Sequence, residues 1–150
     1  MKSKTKIIKS PDLAIKKLEK IAKSLKGHDS VKVGLPKGSN NYPDGTSVIM
    51  VGAVHEFGSP SKNIPQRSFL RSTVSDKSRS YKGMFKKLTI SIIKGKITKK
   101  EALGLVGLRV QTDVKEKITD IKDPPLKYRN GNPLIDTGHL RQSITYEVED

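Results

Sequence analysis

Cysteine is absent from the 150 residues. That excludes disulfide scaffolds, thiolate zinc sites and cysteine nucleophiles, and it fits a reducing compartment. Tryptophan is absent too, and the aromatics come to four Tyr and three Phe. Hydrophobic residues make up 33%, against roughly 45–50% apolar content in ordinary globular chains. The expected core is therefore aliphatic and thin, with part of the fold completed by a partner. Long apolar runs are missing: the longest is Val48-Ile49-Met50-Val51, far short of the ~20 residues of a membrane span. The basic start MKSKTKIIKS is followed by no apolar segment of the signal-peptide kind. The expectation is a soluble protein made in the cytoplasm, without membrane contact. Acids are scarce: 15 Asp+Glu stand against 30 Lys+Arg, a formal charge of +15, and self-repulsion of that size works against compaction.

The charge is unevenly spread. Residues 1–26 hold nine Lys and two acids, and residues 71–100 hold ten basic residues and one acid. Residues 27–70 are close to neutral, and residues 101–150 carry seven basic and nine acidic residues. Two basic blocks and a mildly acidic end suit either a polyanion partner or head-to-tail contact between copies.

The chain reads as one domain over 1–150, with 1–9 as a basic arm or short edge strand and 10–150 as the folded part. Ser10 as N-cap, Pro11 at the first helical position and Asp12 in the first turn open a helix. Ala14, Leu18, Ile21, Ala22 and Leu25 form its apolar stripe, and Gly27 follows its end. Residues 31–35 alternate like a strand. After the turn-rich loop 36–45, Thr46 or Ser47 starts a second helix that runs to Gly58; it is apolar on most sides, so burial is expected, and its valines leave a strand reading open. A long helix spans about 68–94, with Gly83 inside it and Gly95 ending it. Thr98 and Glu101 make a capping box for another helix that Asp123-Pro124-Pro125 stops. In that helix Gly104 and Gly107 are expected to admit a second backbone. Asp136 or Thr137 caps a short helix through Gln142, and residues 144–148 form the last strand. The sum is an α+β fold: a small mixed or antiparallel sheet with three to four helices, one or two of them long.

Several catalytic patterns begin and then fail. His55-Glu56 starts a zinc-protease motif, which needs a second His one turn after the Glu; position 59 is Ser. Leu134-Ile135-Asp136-Thr137-Gly138 has the form of an aspartic-protease loop, which needs a second carboxylate to share its proton. Only twelve residues follow Gly138, too few for the rest of such a lobe, and the plain reading is a capped turn. Asp136, His139 and Ser143 are triad residue types without a nucleophile elbow. Gly95-Lys96 lacks the remainder of a P-loop. No cofactor or metal is implied, and an enzyme is not expected. The lysine excess keeps a nucleic-acid-binding reading alive, although aromatics are few and Arg is six of the thirty basic residues.

One ordered set of segments rises above composition. Glu56-Phe57-Gly58 closes the second helix, Ile64-Pro65-Gln66-Arg67-Ser68-Phe69 opens the third, and Leu134, Thr137, Gly138 and Leu140 sit in an LxxTGxLxxSI run before the last strand. This order resembles the neck or tail-completion family of tailed bacteriophages, also described as virion-morphogenesis or minor-tail-protein-like. The likeness runs from about residue 31 to 148 and departs at Ser68, where members often have Pro; the lysine-rich first 26 residues have no counterpart. It implies a non-enzymatic virion protein at the head–tail joint, assembled in the host cytoplasm into a homo-oligomeric ring. A ring of six is favoured over twelve, beside neck, connector and tail-tube or tail-terminator proteins, with DNA passing through unread. On chemistry, Gly58 is expected to adopt positive φ, Phe57 and Phe69 to anchor their loop in the core, Pro65 to stiffen it, and Arg67 to pair with Glu56 or a neighbouring subunit.

Overall fold

The computed structural model describes residues 11–128 and 130–149; the arm at 1–9 and the Ser10 cap lie outside the described residues. In chain order the elements are α1 (Pro11–Leu25), β1 (Ser30–Gly34), α2 (Val48–Phe57), a 3-10 turn (Pro60–Lys62), α3 (Leu70–Ile93), α4 (Lys99–Asp120), α5 (His139–Ser143) and β2 (Thr145–Glu149). This is the expected small α+β fold with two long helices. The second helix is a helix and not a strand. β1 begins one residue before the expected start and β2 one after, and they pair antiparallel, with Val31 opposite Val148 and Val33 opposite Tyr146.

Local chemistry explains most boundaries. The Ser47 hydroxyl accepts from the Met50 N–H at 3.4 Å to start α2. Gly58 ends that helix at φ 76° and donates to the Val54 carbonyl at 2.8 Å. The capping box of α4 is complete: Thr98 Oγ1 accepts from Glu101 N, and Glu101 Oε2 accepts from Thr98 N at 2.7 Å. The cap of α5 differs from expectation. Gly138, at φ 78°, holds the N-cap position, while Thr137 Oγ1 accepts from His139 N at 3.4 Å. A residue in the left-handed region has to stand there, so the turn takes Gly and moves the hydroxyl one position back.

The core is small, as its composition requires. Val48, Phe69, Val114, Ile118, Leu134, Leu140 and Ile144 are buried together, with Val33, Leu35 and Tyr42 packed on them. α4 lies across both strands. Its Gly107 is buried under the sheet, where an added Cβ would stand 2.7 Å from Tyr146 Cγ and 2.8 Å from Val31 Cγ2. The close approach is thus to an aromatic ring and a valine, not to a second backbone. α2 corrects another expectation. Only Val48, Gly52 and Glu56 are buried, one stripe at four-residue spacing, because the helix lies on the surface and just one face meets the core. Ile49, Met50 and Phe57 remain exposed.

α3 and α4 are held side by side by a buried carboxylate that sequence reading did not single out. Asp113 accepts from Lys77 Nζ at 2.7 Å, Tyr81 Oη at 2.9 Å and Arg109 Nε at 3.1 Å. Burial pushes the Asp113 carboxyl up, but these three donors outweigh it and hold it below the usual aspartate range. Burial, and then the bond to Asp113, push the Tyr81 phenol up. The available signal was an acid on the core stripe of α4, three residues after Val110 and beside Val114.

Two glycines of the long helices should respond oppositely to the same change. Gly107→Ala forces the Tyr146 ring and Val31 apart and is expected to cost about 1–3 kcal/mol. Gly83, with open space around its Cβ position, should gain up to ~1 kcal/mol as Ala. Thermal unfolding of the two variants checks both signs.

Candidate functional site

Six of the motif residues, Glu56, Phe57, Gly58, Pro65, Arg67 and Phe69, lie at the junction between α2 and α3; Leu134 and Leu140 meet Phe69 in the core, and Thr137 and Gly138 stand at the start of α5. A helix begins with backbone N–H groups that have no partner inside it. α3 has no side-chain cap of its own at Phe69. Glu56, in the last turn of α2, fills that role from another helix. Its Oε2 accepts from Phe69 N at 2.8 Å and Leu70 N at 2.9 Å. Its Oε1 accepts from Ser68 Oγ at 2.7 Å, Arg71 Nε at 2.9 Å and Arg71 N at 3.1 Å. The residue is 3% exposed. Burial pushes its carboxyl up, but the bonds from Leu70, Ser68 and Arg71 win and hold it below the ordinary glutamate value. The α3 dipole adds to this preference for a negative charge.

The loop between the two helices is fixed from both sides. Gln66 Nε2 and Arg71 Nη2 each donate to the Glu56 carbonyl at 3.0 Å, and Arg67 N donates to the His55 carbonyl at 2.7 Å. Gly58 lies against the backbone of Ile64 and Gln66, where an added Cβ would stand 3.0 Å from Gln66 N and 3.3 Å from the Ile64 carbonyl oxygen, closer than ordinary contact. Pro65 is half-buried on the path from the Ser59–Ile64 bridge into α3.

Two expected roles are corrected. Arg67 does not pair with Glu56. It is buried, and it donates to the Pro124 carbonyl through Nε at 2.7 Å and to the Pro125 carbonyl through Nη2 at 3.1 Å. The helix turn carries Arg71 onto Glu56 instead, since Arg71 lies within the first turn whose amides the carboxylate accepts. Phe57 is no core anchor either. It is 63% exposed, with the Arg71 guanidinium 4.6 Å from its ring centroid. Glu56 takes the inward direction at the end of α2, and the next residue must face away. Phe69 does fill the core, together with Leu134 and Leu140 from the second motif segment. Arg71 and Ser68 were the residues that sequence reading missed; the signal was a long helix with no cap residue immediately before it.

Glu56, His139 and Ser143 are engaged in structural bonds. The five donors on Glu56 occupy both carboxylate oxygens. His55 Nδ1 is buried without a hydrogen-bond partner among the described residues, and burial followed by the nearby Arg67 charge push its pKa down. No group of three His, Asp or Glu side chains suited to a metal occurs among the described residues. Ser143 Oγ donates to the His139 carbonyl at 2.9 Å, and His139 Nε2 contacts the Asn40 carbonyl at 2.7 Å. A carbonyl only accepts, so that ring nitrogen carries the proton and cannot serve the serine as a base through it. No helix of the described residues is long and apolar enough to cross a membrane. The chain matches no family model, no curated protein and no solved structure.

Replacing the charge on Glu56 tests the junction. Glu56→Gln turns an acceptor toward donors with an NH2 group and is expected to cost about 3 kcal/mol of stability. The folded pKa is depressed, so the ionised network contributes fully above the unfolded value near 4.5 and is lost as pH falls through the folded one. The stability gap between wild type and Glu56→Gln, measured in denaturant, should therefore narrow below about pH 4.5.

Proposed function

We propose that this chain is a structural virion protein of the phage head–tail joint. In this reading copies form a ring around the DNA channel and join tail to head, beside connector and tail-tube or tail-terminator neighbours. The observation that carries the reading is the convergence of the ordered motif segments. The Glu56-Phe57-Gly58 end of α2 and the loop through Pro65, Arg67 and Phe69 build one junction, and Phe69 shares the core with Leu134 and Leu140. The resembling residues act as a framework, and their polar atoms are spent on helix ends and loop carbonyls. A non-enzymatic role accords with that use. The uneven charge and the apolar surface left exposed accord with assembly into a larger body.

Electron microscopy of particles made without this protein is the direct test. Filled heads separate from free tails are the expected outcome; normal infectious particles would overturn the reading.

A second reading, a nucleic-acid-binding protein, draws on one place in the fold. Lys17 and Lys20 of α1, Lys94 and Lys96 of the α3–α4 turn, and Lys99 at the start of α4, which pairs with Asp29, line a depression of about 640 Å³ together with Glu101. A channel wall must let a polyanion slide, and lysine, a hydrated point charge without a bidentate fork, suits that. On the ring reading, binding to duplex DNA should be weak, indifferent to sequence and steeply reduced by salt. A titration with two unrelated duplexes across salt concentrations decides. Tight binding to one duplex that survives high salt would favour the second reading.

A further inference from the structure

Arg67 is a buried cation with no acid paired to it among the described residues. It is 5% exposed, and a charge taken out of water is costly unless it is paired. The other buried charges among the described residues are met: Glu56 has Arg71, and Asp113 has Lys77 and Arg109. Arg67 has carbonyls alone. Burial pushes its pKa down, and no neighbouring carboxylate opposes that. Its charge is felt at His55, whose pKa it helps to push down.

The guanidinium carries five N–H groups in a planar fork. Nε donates to the Pro124 carbonyl at 2.7 Å and Nη2 to the Pro125 carbonyl at 3.1 Å. Those bonds fix the plane of the group. Both N–H groups of Nη1 and one of Nη2 are left without an acceptor among the described residues. The buried side-chain atom that lacks a partner is His55 Nδ1, so Nη1 is not sealed in but keeps access to solvent. Nη1 and Nη2 together form the end of the fork, where paired donors match the two oxygens of one carboxylate.

Arg67 and His55 line a depression of about 900 Å³ between the α2–α3 loop and the segment that follows α4, a volume within the range of ligand sites. The exposed Lys62 and Lys127 line it as well, and no acid does. Phe57, Leu126 and Tyr128 supply its apolar surface; Phe57 is 63% and Tyr128 97% exposed. Three cations without an acid call for an anion. A nucleic-acid backbone spreads its charge along a row of phosphates and is met by exposed basic surface. One buried fork among apolar and aromatic side chains suits a single carboxylate on an apolar chain, which is the chemistry of a protein segment.

We propose that this depression is the docking site for a partner protein's segment in which one Asp or Glu stands among apolar residues. The carboxylate sits on the free end of the Arg67 fork, between Lys62 and Lys127, and the flanking side chains lie against Phe57, Leu126 and Tyr128. Such a site goes beyond the ring reading and does not depend on it.

Two capped peptides that differ only in charge test it: acetyl-Ala-Leu-Glu-Leu-Ala-amide and the same peptide with Gln for Glu. Each is titrated into the full chain and followed by nuclear magnetic resonance. The glutamate peptide should shift the Arg67 Nε–H and the His55 and Tyr128 ring signals, and should bind about tenfold tighter than the glutamine peptide. Equal binding of the two peptides would overturn the proposal. So would no shift from either, which is the result expected of an arginine that merely braces its loop. Inorganic phosphate that shifts the same signals at lower concentration than the glutamate peptide would overturn it in favour of a phosphate site. Arg67→Lys keeps the charge and removes the fork; with circular dichroism confirming the fold, it should lose the preference for glutamate. Because Arg67 also holds the Pro124 and Pro125 carbonyls, the exposed Lys62→Ala and Lys127→Ala give a second readout that leaves those bonds in place. Each should weaken the glutamate peptide and leave the glutamine peptide unchanged; a glutamate affinity that neither changes would count against this seat for the carboxylate.

Discussion

One carboxylate sets the architecture around the motif. Glu56 is buried at the end of a short helix and receives five hydrogen bonds from the start of a long one. A charge removed from water is costly unless every lone pair is met. Here the amides of Phe69, Leu70 and Arg71, which α3 itself leaves without partners, meet it. Each side removes the other's penalty, so the angle between α2 and α3 is not free to vary. Phe69 is carried into the core by that angle. Arg67 is carried to the Pro124 and Pro125 carbonyls, which ties the segment after α4 to the same junction.

Acids are few in this chain, and the structure uses them where lysines would otherwise repel. Asp113 gathers Lys77 and Arg109 between α3 and α4, Asp76 takes Lys117 at 2.9 Å, and Glu149 takes Lys32 across the sheet at 2.7 Å. The buried pair of networks, at Glu56 and Asp113, differs in kind from the surface pairs. Surface ion pairs contribute little in water. The two buried carboxylates position whole helices, and both are held ionised by donors that outweigh their burial. A thin aliphatic core leaves helix orientation underdetermined, and fixed polar contacts supply what packing does not.

What could be read from sequence follows the range of the interaction. The capping box at Thr98 and Glu101, the glycine ends at Gly58 and Gly95, and the strand alternation were legible because each is settled within a few residues. The α+β class followed from them. The burial of α2 was misjudged because hydropathy says what a helix can bury, not whether anything covers it. Arg67 was expected to pair with Glu56 or with a neighbouring subunit, and Arg71 takes Glu56 instead for a similar reason. Both arginines lie within reach along the chain, and only the phase of α3 decides which one turns toward the carboxylate. Gly107 was marked as a close approach, but the identity of its neighbour depended on a sheet whose second strand lies nearly forty residues away in sequence.

The two kinds of surface left over, lysine-rich and apolar, answer to salt in opposite ways. Contact between the chain's cations and a polyanion is driven by release of bound counterions and weakens as salt rises. Any contact between two copies would have to overcome repulsion between chains at +15 each; salt screens that repulsion and leaves the attraction of exposed apolar side chains such as Met50 and Leu18 in place. Attraction through the lysines and attraction through exposed apolar side chains are therefore separable in one molecule by their response to salt. Each copy's charge discourages association in dilute solution, and binding of any polyanion to that surface would relieve it.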